Sequence, residues 1–441
     1  MEMGKRGRNI LFLALALALF FLPAAGRAAD YPALKVVDYQ TGQPVLGAKV
    51  TLNQEVLLAD PQNLFPLNKP GGKVRVRAHG YQRIEQTLTD SLPPGPQTIR
   101  LMPLNPKALY LSFYGVGEKA IREPALKLIE ETELNSLVID VKGDRGWIPY
   151  KSAVPLAVEV GATKITTVRD MPGLIKSFKE KGIYTIARIV VFKDNPLATS
   201  RPEWAVKGPG GEVWKDRESL AWMDPFRKEV WEYNIQIAVE AAQQGFDEIQ
   251  FDYVRFPDSS SPRFSRASTE ESRVKAISGF LEQAYQRLLP YNVFVAADIF
   301  GYVCWNLNDT NIGQKLESLV TSVDYLSPML YPSGYQFGIP GYRNPVTNPH
   351  EIVYQSLKKA QERTNRPSIR FRPWLQAFRD YAFDRRAFNS REIREQIDAA
   401  EKFGSQGWML WNPGNVYSAG ALKRQKIPTL VTGLASLPEN L

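Results

Sequence analysis

Cysteine and histidine are nearly absent from this sequence, and each absence closes off a class of chemistry. The single cysteine among 441 residues, Cys304, has no partner for an intramolecular disulfide, and none stands beside the N-terminal apolar run where a lipid could be attached. Two histidines, His79 and His350, cannot build the zinc sites of metallopeptidases or metal-dependent deacetylases with one thiol. No metal or cofactor is therefore expected. A glycine-rich phosphate loop is missing too: GPGG at 208–211 has the composition of a hairpin turn. Nor is there a Lys/Arg cluster of the kind a nucleic acid requires. The formal net charge is +9, of which Lys5, Arg6, Arg8 and Arg27 against Glu2 supply +3, and the remaining +6 is spread over many turns.

The chain begins with the pattern of an export signal. Basic residues precede the apolar run from Ile10 to Leu22, followed by Pro23 and small residues that allow cleavage near Gly26-Arg27-Ala28. A signal peptide over 1–29 predicts a secreted or cell-surface protein with cell-envelope association. An uncleaved anchor is the alternative, but the run is short for a spanning helix.

Residues 30–104 alternate apolar and polar residues in short runs broken by turns, as in ALKVVDY, VLGAKVTLN, GKVRVRAHGY and QTIRLMPL, which predicts a small all-β sandwich. VVDYQTGQPVLGAKVTLN and RVRAHGYQRIEQTL resemble the carboxypeptidase regulatory-like domain, which implies a spacer or adhesion role. The Pro-rich PPGPQTIRLMPLNP marks its exit and predicts few shared contacts with the remainder of the chain.

From Ala108 the grammar changes to strands alternating with amphipathic helices. Strands are expected at 108–115, 136–144, 183–192, 248–256, 293–302, 323–331, 369–378 and 407–412. Eight strand–helix units over 105–425, with a tail at 426–441, predict an α/β fold of the (β/α)8 TIM-barrel type. Long inserts come after the second and third strands, where loops at the catalytic face belong.

Four carboxylates then take places. Asp140, Asp252 and Asp298 close strands two, four and five, and Asp324 opens strand six. Around them stand Tyr253, Arg255, Tyr302, Tyr331, Trp374, Gln376, Trp411 and Asn412, with Lys142 and Arg188 as substrate contacts or as partners that keep the acids ionised. Paired carboxylates within a ring of aromatics suit sugar chemistry: one acid protonates the leaving oxygen, the other attacks carbon or activates water, and flat rings pack on pyranose faces. An Asp at a strand end more often caps a helix or pairs with an Arg, so one alone carries little. Asp252 stands out because Tyr253, Arg255, Phe256 and Pro257 read as a continuing strand. Asp247 and Glu248, at that strand's start, read as structural. The expected catalytic pair is Asp252, as nucleophile or base, with Asp298 as acid. Asp140 and Asp324 are held in reserve, and the loop carboxylates Asp216 and Asp224 could replace the acid.

GFDEIQFDYVRFP at 245–257, with LVIDVKGDRG, VAADIFGY, DYLSPMLYPSGY, RPWLQAF and GWMLWNP, resembles a family of exported bacterial proteins carrying a glycoside hydrolase-like domain of unknown function, over about residues 107–420. The resemblance implies a barrel and a glycosidase but no particular substrate; the acids and aromatics make a polysaccharide or oligosaccharide the expected partner. A more distant likeness is to the family-eighteen chitinases, but Gln250 replaces the second acid of their strand-four run and Val254 stands where the proton-donating Glu belongs. Substrate-assisted chitinase chemistry is thereby disfavoured, while barrels of the α-amylase and α-galactosidase kind use an Asp ending strand four, as Asp252 does. The missing Glu also keeps open a non-catalytic glycan-binding or envelope-scaffolding role.

Overall fold

A computed structural model describes residues 32–424 except Pro70 and Pro94. The expected export segment and C-terminal tail lie outside the described residues. Within them, no helix is long and apolar enough to cross a membrane.

Seven short strands come first: β1 (Ala33–Asp38), β2 (Lys49–Leu52), β3 (Glu55–Leu57), β4 (Leu64–Pro66), β5 (Gly72–Arg77), β6 (Ile84–Leu88) and β7 (Pro96–Leu101). They form two sheets, ordered β4-β1-β7 and β3-β2-β5-β6. The alternation along each strand turns Val36, Val50, Leu52, Val74, Val76, Ile99 and Leu101 into one shared core, which makes the pair a sandwich.

The eight expected strands of the second region are all present: β8 (Lys107–Leu111), β9 (Ser136–Lys142), β10 (Tyr184–Val190), β11 (Glu248–Asp252), β12 (Phe294–Phe300), β13 (Tyr325–Met329), β14 (Trp374–Gln376) and β15 (Trp408–Trp411). They pair in parallel, in chain order, and β15 closes onto β8. Outward-facing Ile139, Ile189, Ile249, Phe251 and Val295 bury against the surrounding helices, while Ala108, Val138, Ile186, Ala296 and Met409 fill the barrel. The helices begin where the sequence supplies caps: Asp170 accepts from Gly173 N ahead of Met171–Glu180, and Asn389 with Glu392 forms a capping box ahead of Ser390–Phe403.

One boundary differs from expectation in a way that matters. Strand 248–256 stops at Asp252, because Tyr253 adopts a left-handed backbone with φ of 48°. That conformation costs a non-glycine residue energy and breaks the pleat, so Tyr253 and Arg255 do not continue the strand's alternation.

The N-terminal end of the barrel is sealed by charges that satisfy one another. Glu248, fully buried, receives both hydrogen bonds of 2.7 Å from Arg372 and another of 2.9 Å from the Tyr184 hydroxyl. Asp247 accepts from the backbone and hydroxyl of Thr185 at 3.0 Å each. Both acids are structural, as their position at a strand start suggests.

The sandwich docks against this same end, and the Pro-rich exit does not keep the two regions apart. Arg77 Nη1 lies 2.7 Å from Asp324 Oδ1, with side chains 2% and 3% exposed. Arg83 donates to the carbonyls of Asn292 and Tyr291, while Asn292 donates back to those of Lys49 and Arg75. Asp324 also accepts from Val295 N. It opens β13 at the face opposite the strand ends where barrel chemistry occurs, so it is a docking residue and not a substrate contact.

Burial pushes Asp324 upward, but Arg77 and then His79 outweigh it and hold the carboxyl well below the usual range. A depressed folded-state value contributes stability that is complete above the unfolded Asp value of ~4 and is lost as pH falls below it. Arg77→Ala should cost about 3–5 kcal/mol at pH 7, as expected when one member of a buried pair is removed. The difference from wild type, read by denaturant unfolding, should shrink at pH 3. A barrel fragment lacking residues 32–104 should melt at lower temperature than the full chain.

Candidate active site

Inward-facing residues at the C-terminal ends of the strands assemble around Arg188. Register places Arg188 on β10 level with Asp140 on β9, and Val190 level with Asp252 on β11. The guanidinium is 1% exposed and uses three carboxylates. Nη1 meets Asp140 Oδ1 at 2.7 Å, Nε and Nη2 meet Asp252 Oδ2 at 2.9 and 2.7 Å, and Nη2 also meets Asp144 Oδ1 at 2.7 Å. Asp144 and Asp252 thus share one nitrogen and lie within twice that last distance of each other. The Trp411 ring covers the guanidinium at 4.8 Å and the Tyr110 ring at 5.5 Å, with the two rings stacked at 3.9 Å. Tyr110 donates to Asp140 Oδ2 at 2.7 Å. Burial raises Asp140 above the usual carboxylate range despite the guanidinium beside it.

Asp252 forms the floor of a cleft of about 220 Å³ whose walls include Arg188, Tyr253, Arg255, Tyr302, Tyr331, Trp374 and Trp411. Eight residues singled out in the sequence therefore meet in one place. The left-handed turn at Tyr253 aims its own N–H at Asp252 Oδ1 over 2.6 Å, fixing the carboxylate from a second side. Gly301 lines the same cleft, where a Cβ would meet Met329 O and the Tyr335 hydroxyl at 2.7 Å each. Any larger residue would push into the wall.

Asp298 lies behind this floor and does not line the cleft. It is 1% exposed; Oδ1 accepts the Trp374 indole N–H at 2.8 Å, and Oδ2 has no hydrogen-bond partner among the described residues. Burial, then the charge of Asp252, push its carboxyl well above the usual range.

The remaining candidates sit elsewhere. Asp140 is on the far side of Arg188, in a neighbouring depression with Tyr110, Asp144 and Trp147. Lys142 is fully buried against Asp194 at 2.6 Å, with Tyr233 of the outer helix Lys228–Gln243 beside it; the register shift between β9 and β10 above Asp140 takes it out of the site. Gln376 ties Ser333, Phe378 and Gln396 together, and Asn412 donates to Ala377 O, so both hold loops. The loop acids are structural as well. Asp224 accepts from Phe226 N and Ser265 N. Asp216 is paired with Lys193 at 2.9 Å, and bonds from Trp222 and Lys193 outweigh burial to hold it ionised. Asp144, Tyr110, Tyr335 and Gly301 carry no mark in the sequence pattern strong enough to single them out. The one signal for Asp144 is its place four residues after Asp140 in DVKGD. Among the described residues no group of three or more His, Cys, Asp and Glu side chains is placed to hold a metal ion.

A family model described as "Putative glycosyl hydrolase domain" matches residues 108–417. A hypothetical protein from Ruminiclostridium thermocellum ATCC 27405 is 38% identical; the alignment covers 43% of this chain and 96% of that one, with a TM-score of 0.39. The PgaB (BpsB) glycoside hydrolase domain from Bordetella bronchiseptica is 13% identical over 71% of this chain and 95% of its own, with a TM-score of 0.52, a likeness of fold. A comparison with curated proteins gives no match.

A carboxyl raised by burial keeps its proton to higher pH than the unfolded chain does, so its contribution to stability is lost as pH rises above the unfolded value of ~4. Asp298→Asn should therefore raise the melting temperature more at pH 8 than at pH 4, because Asn can still accept the Trp374 N–H. Asp252→Asn removes the second cause of the shift and should move the Asp298 titration downward, measured by carboxyl ¹³C NMR.

Proposed function

Since the chain belongs to the family of the glycosyl hydrolase domain that spans residues 108–417, we propose that it hydrolyses a glycosidic bond in an extracellular or cell-envelope polysaccharide, with Asp252 as the reacting carboxylate. The observation that carries this reading is the presentation of Asp252 alone at the floor of an aromatic-walled cleft, at the end of the barrel where such enzymes work. Its charge is suited to attack carbon or to stabilise the oxocarbenium-like transition state. Trp411, Tyr331 and Tyr302 supply the aromatic wall for sugar rings, the Tyr302 hydroxyl being tied to Gly338 O and Phe337 N. Asp298 is the proposed acid: burial raises its carboxyl, and with Oδ1 held by Trp374, Oδ2 is the oxygen left to donate. Residues 1–29 act in this reading as an export signal, and the sandwich as the mount that holds the barrel from below.

A second reading, glycan binding without turnover, is favoured by one observation. Asp298 is absent from the lining of the cleft, so among the described residues Asp252 has no second carboxyl beside it there.

The two readings separate on a panel of bacterial surface polysaccharides assayed for released reducing ends. Asp252→Asn should lower turnover by orders of magnitude while keeping a cooperative melt, because Arg188 retains Asp140 and Asp144. A fully active Asn variant would remove Asp252 from the mechanism; a wild type that binds a glycan and never cleaves one would establish the second reading.

A further inference from the structure

Five cations line the cleft and the larger depression of about 510 Å³ that adjoins it; Lys215 and Arg217 are exposed side chains of the latter, and two of the remaining three are already neutralised. Arg188 is held by its three carboxylates, and Lys193 by Asp216 and Glu218 at 2.9 and 2.5 Å. Arg255 is different. No carboxylate among the described residues pairs with it, and its one hydrogen bond runs from Nη1 to its neighbour's carbonyl, Phe256 O, at 3.0 Å.

An arginine on an open surface would be solvated and mobile. This one is half-buried and fixed, with its guanidinium 4.9 Å from the centre of the Trp222 ring and 5.2 Å from that of Tyr253. Tyr253 is in turn set by its left-handed backbone beside Asp252. Arg255 also lines both depressions and so stands at their junction. The donors Nε and Nη2 are left without a protein partner among the described residues. A stacked, pre-oriented guanidinium with an empty planar fork is the geometry that grips a carboxylate through two parallel hydrogen bonds.

We propose that the glycan is acidic, a polymer of uronate-type sugars, and that Arg255 binds the carboxylate of the residue lying across the junction. This rests on the reading of the cleft as a glycan site and adds the substrate's charge to it. A neutral chain would leave the fork unused, and an amine-bearing chain would meet like charge there.

The test uses the full-length chain carrying Asp252→Asn, so that binding is measured without turnover. Calorimetric titrations would compare oligogalacturonates with the same oligomers after reduction of their carboxyl groups to alcohols, and with a sulfated oligosaccharide. The acidic oligomer should bind at least tenfold more tightly than its reduced form. Arg255→Gln should abolish that preference with an unchanged melting temperature, and Arg255→Lys should restore only part of it. Equal affinity for both forms, an acidic preference that survives Arg255→Gln, tighter binding of the sulfated oligomer, or no binding of any acidic oligomer would each overturn the proposal. The two readings fail separately: Asp252-dependent cleavage of a neutral glycan leaves the hydrolase standing without this inference. Arg255-dependent binding of uronates that are never cleaved leaves the inference standing without the hydrolase.

Discussion

A guanidinium cannot be buried at the mouth of a barrel without being paired, and that requirement at Arg188 orders much of the upper half of this molecule. Its partners come from three places, the end of β9, the loop beyond it and the end of β11, so satisfying one cation fixes all three relative to β10. Trp411 and Tyr110 close over it and keep water away. Asp252 is thereby held with one oxygen turned inward to the cation while its carboxylate still borders the open cleft. Its charge adds to burial in raising the carboxyl of Asp298, which anchors Trp374, whose ring forms the next stretch of wall. Cation, carboxylate, buried acid and aromatic wall form a single line of dependence.

The two ends of the barrel treat charge in opposite ways. At the N-terminal end the acids are closed off: Glu248 by Arg372 and Tyr184, Asp247 by Thr185, and Asp324 by Arg77 and Val295. At the other end two groups are left open. Asp298 Oδ2 lacks a partner among the described residues, and the fork of Arg255 borders both depressions. Buried polar groups without partners are costly; among the described residues Arg77 Nε and His79 Nε2 lack a hydrogen-bond partner at the docking end as well, so it is position beside a cleft that sets Asp298 and Arg255 apart.

The periodicity of the sequence made all eight barrel strands legible, because a parallel strand buried on both faces reads as a continuous apolar run. Asp252 and its aromatic surroundings were legible for the same reason: an acid closing such a run needs an explanation. What was hidden was direction and depth. Asp324 precedes β13 and Asp298 lies within β12, yet only position along the strand distinguishes the docking face from the chemical one, and Asp298's place against Trp374 depends on packing across the barrel. Lys142 was misplaced by a register shift that no local pattern reveals. The left-handed turn at Tyr253 was invisible because its sequence, flanked by Asp and Val, offers no glycine to announce it. The link between Arg77 and Asp324 joins residues too far apart in sequence for any local pattern to connect.

The Arg77–Asp324 link also bears on how the chain is made. Synthesis delivers the sandwich first, and its seven strands have a core of their own, so it can fold while the rest is still being produced. Arg77 must then wait, hydrated, until residue 324 emerges and β13 takes its place in the closing barrel. The sandwich thus meets the growing barrel with one exposed cation at the spot the barrel's underside will occupy, and the arrival of Asp324 converts a loosely tethered neighbour into a fixed base. The contacts through Tyr291 and Asn292 become available a little earlier, so the last of these docking partners to be made is an aspartate three-quarters of the way along the chain.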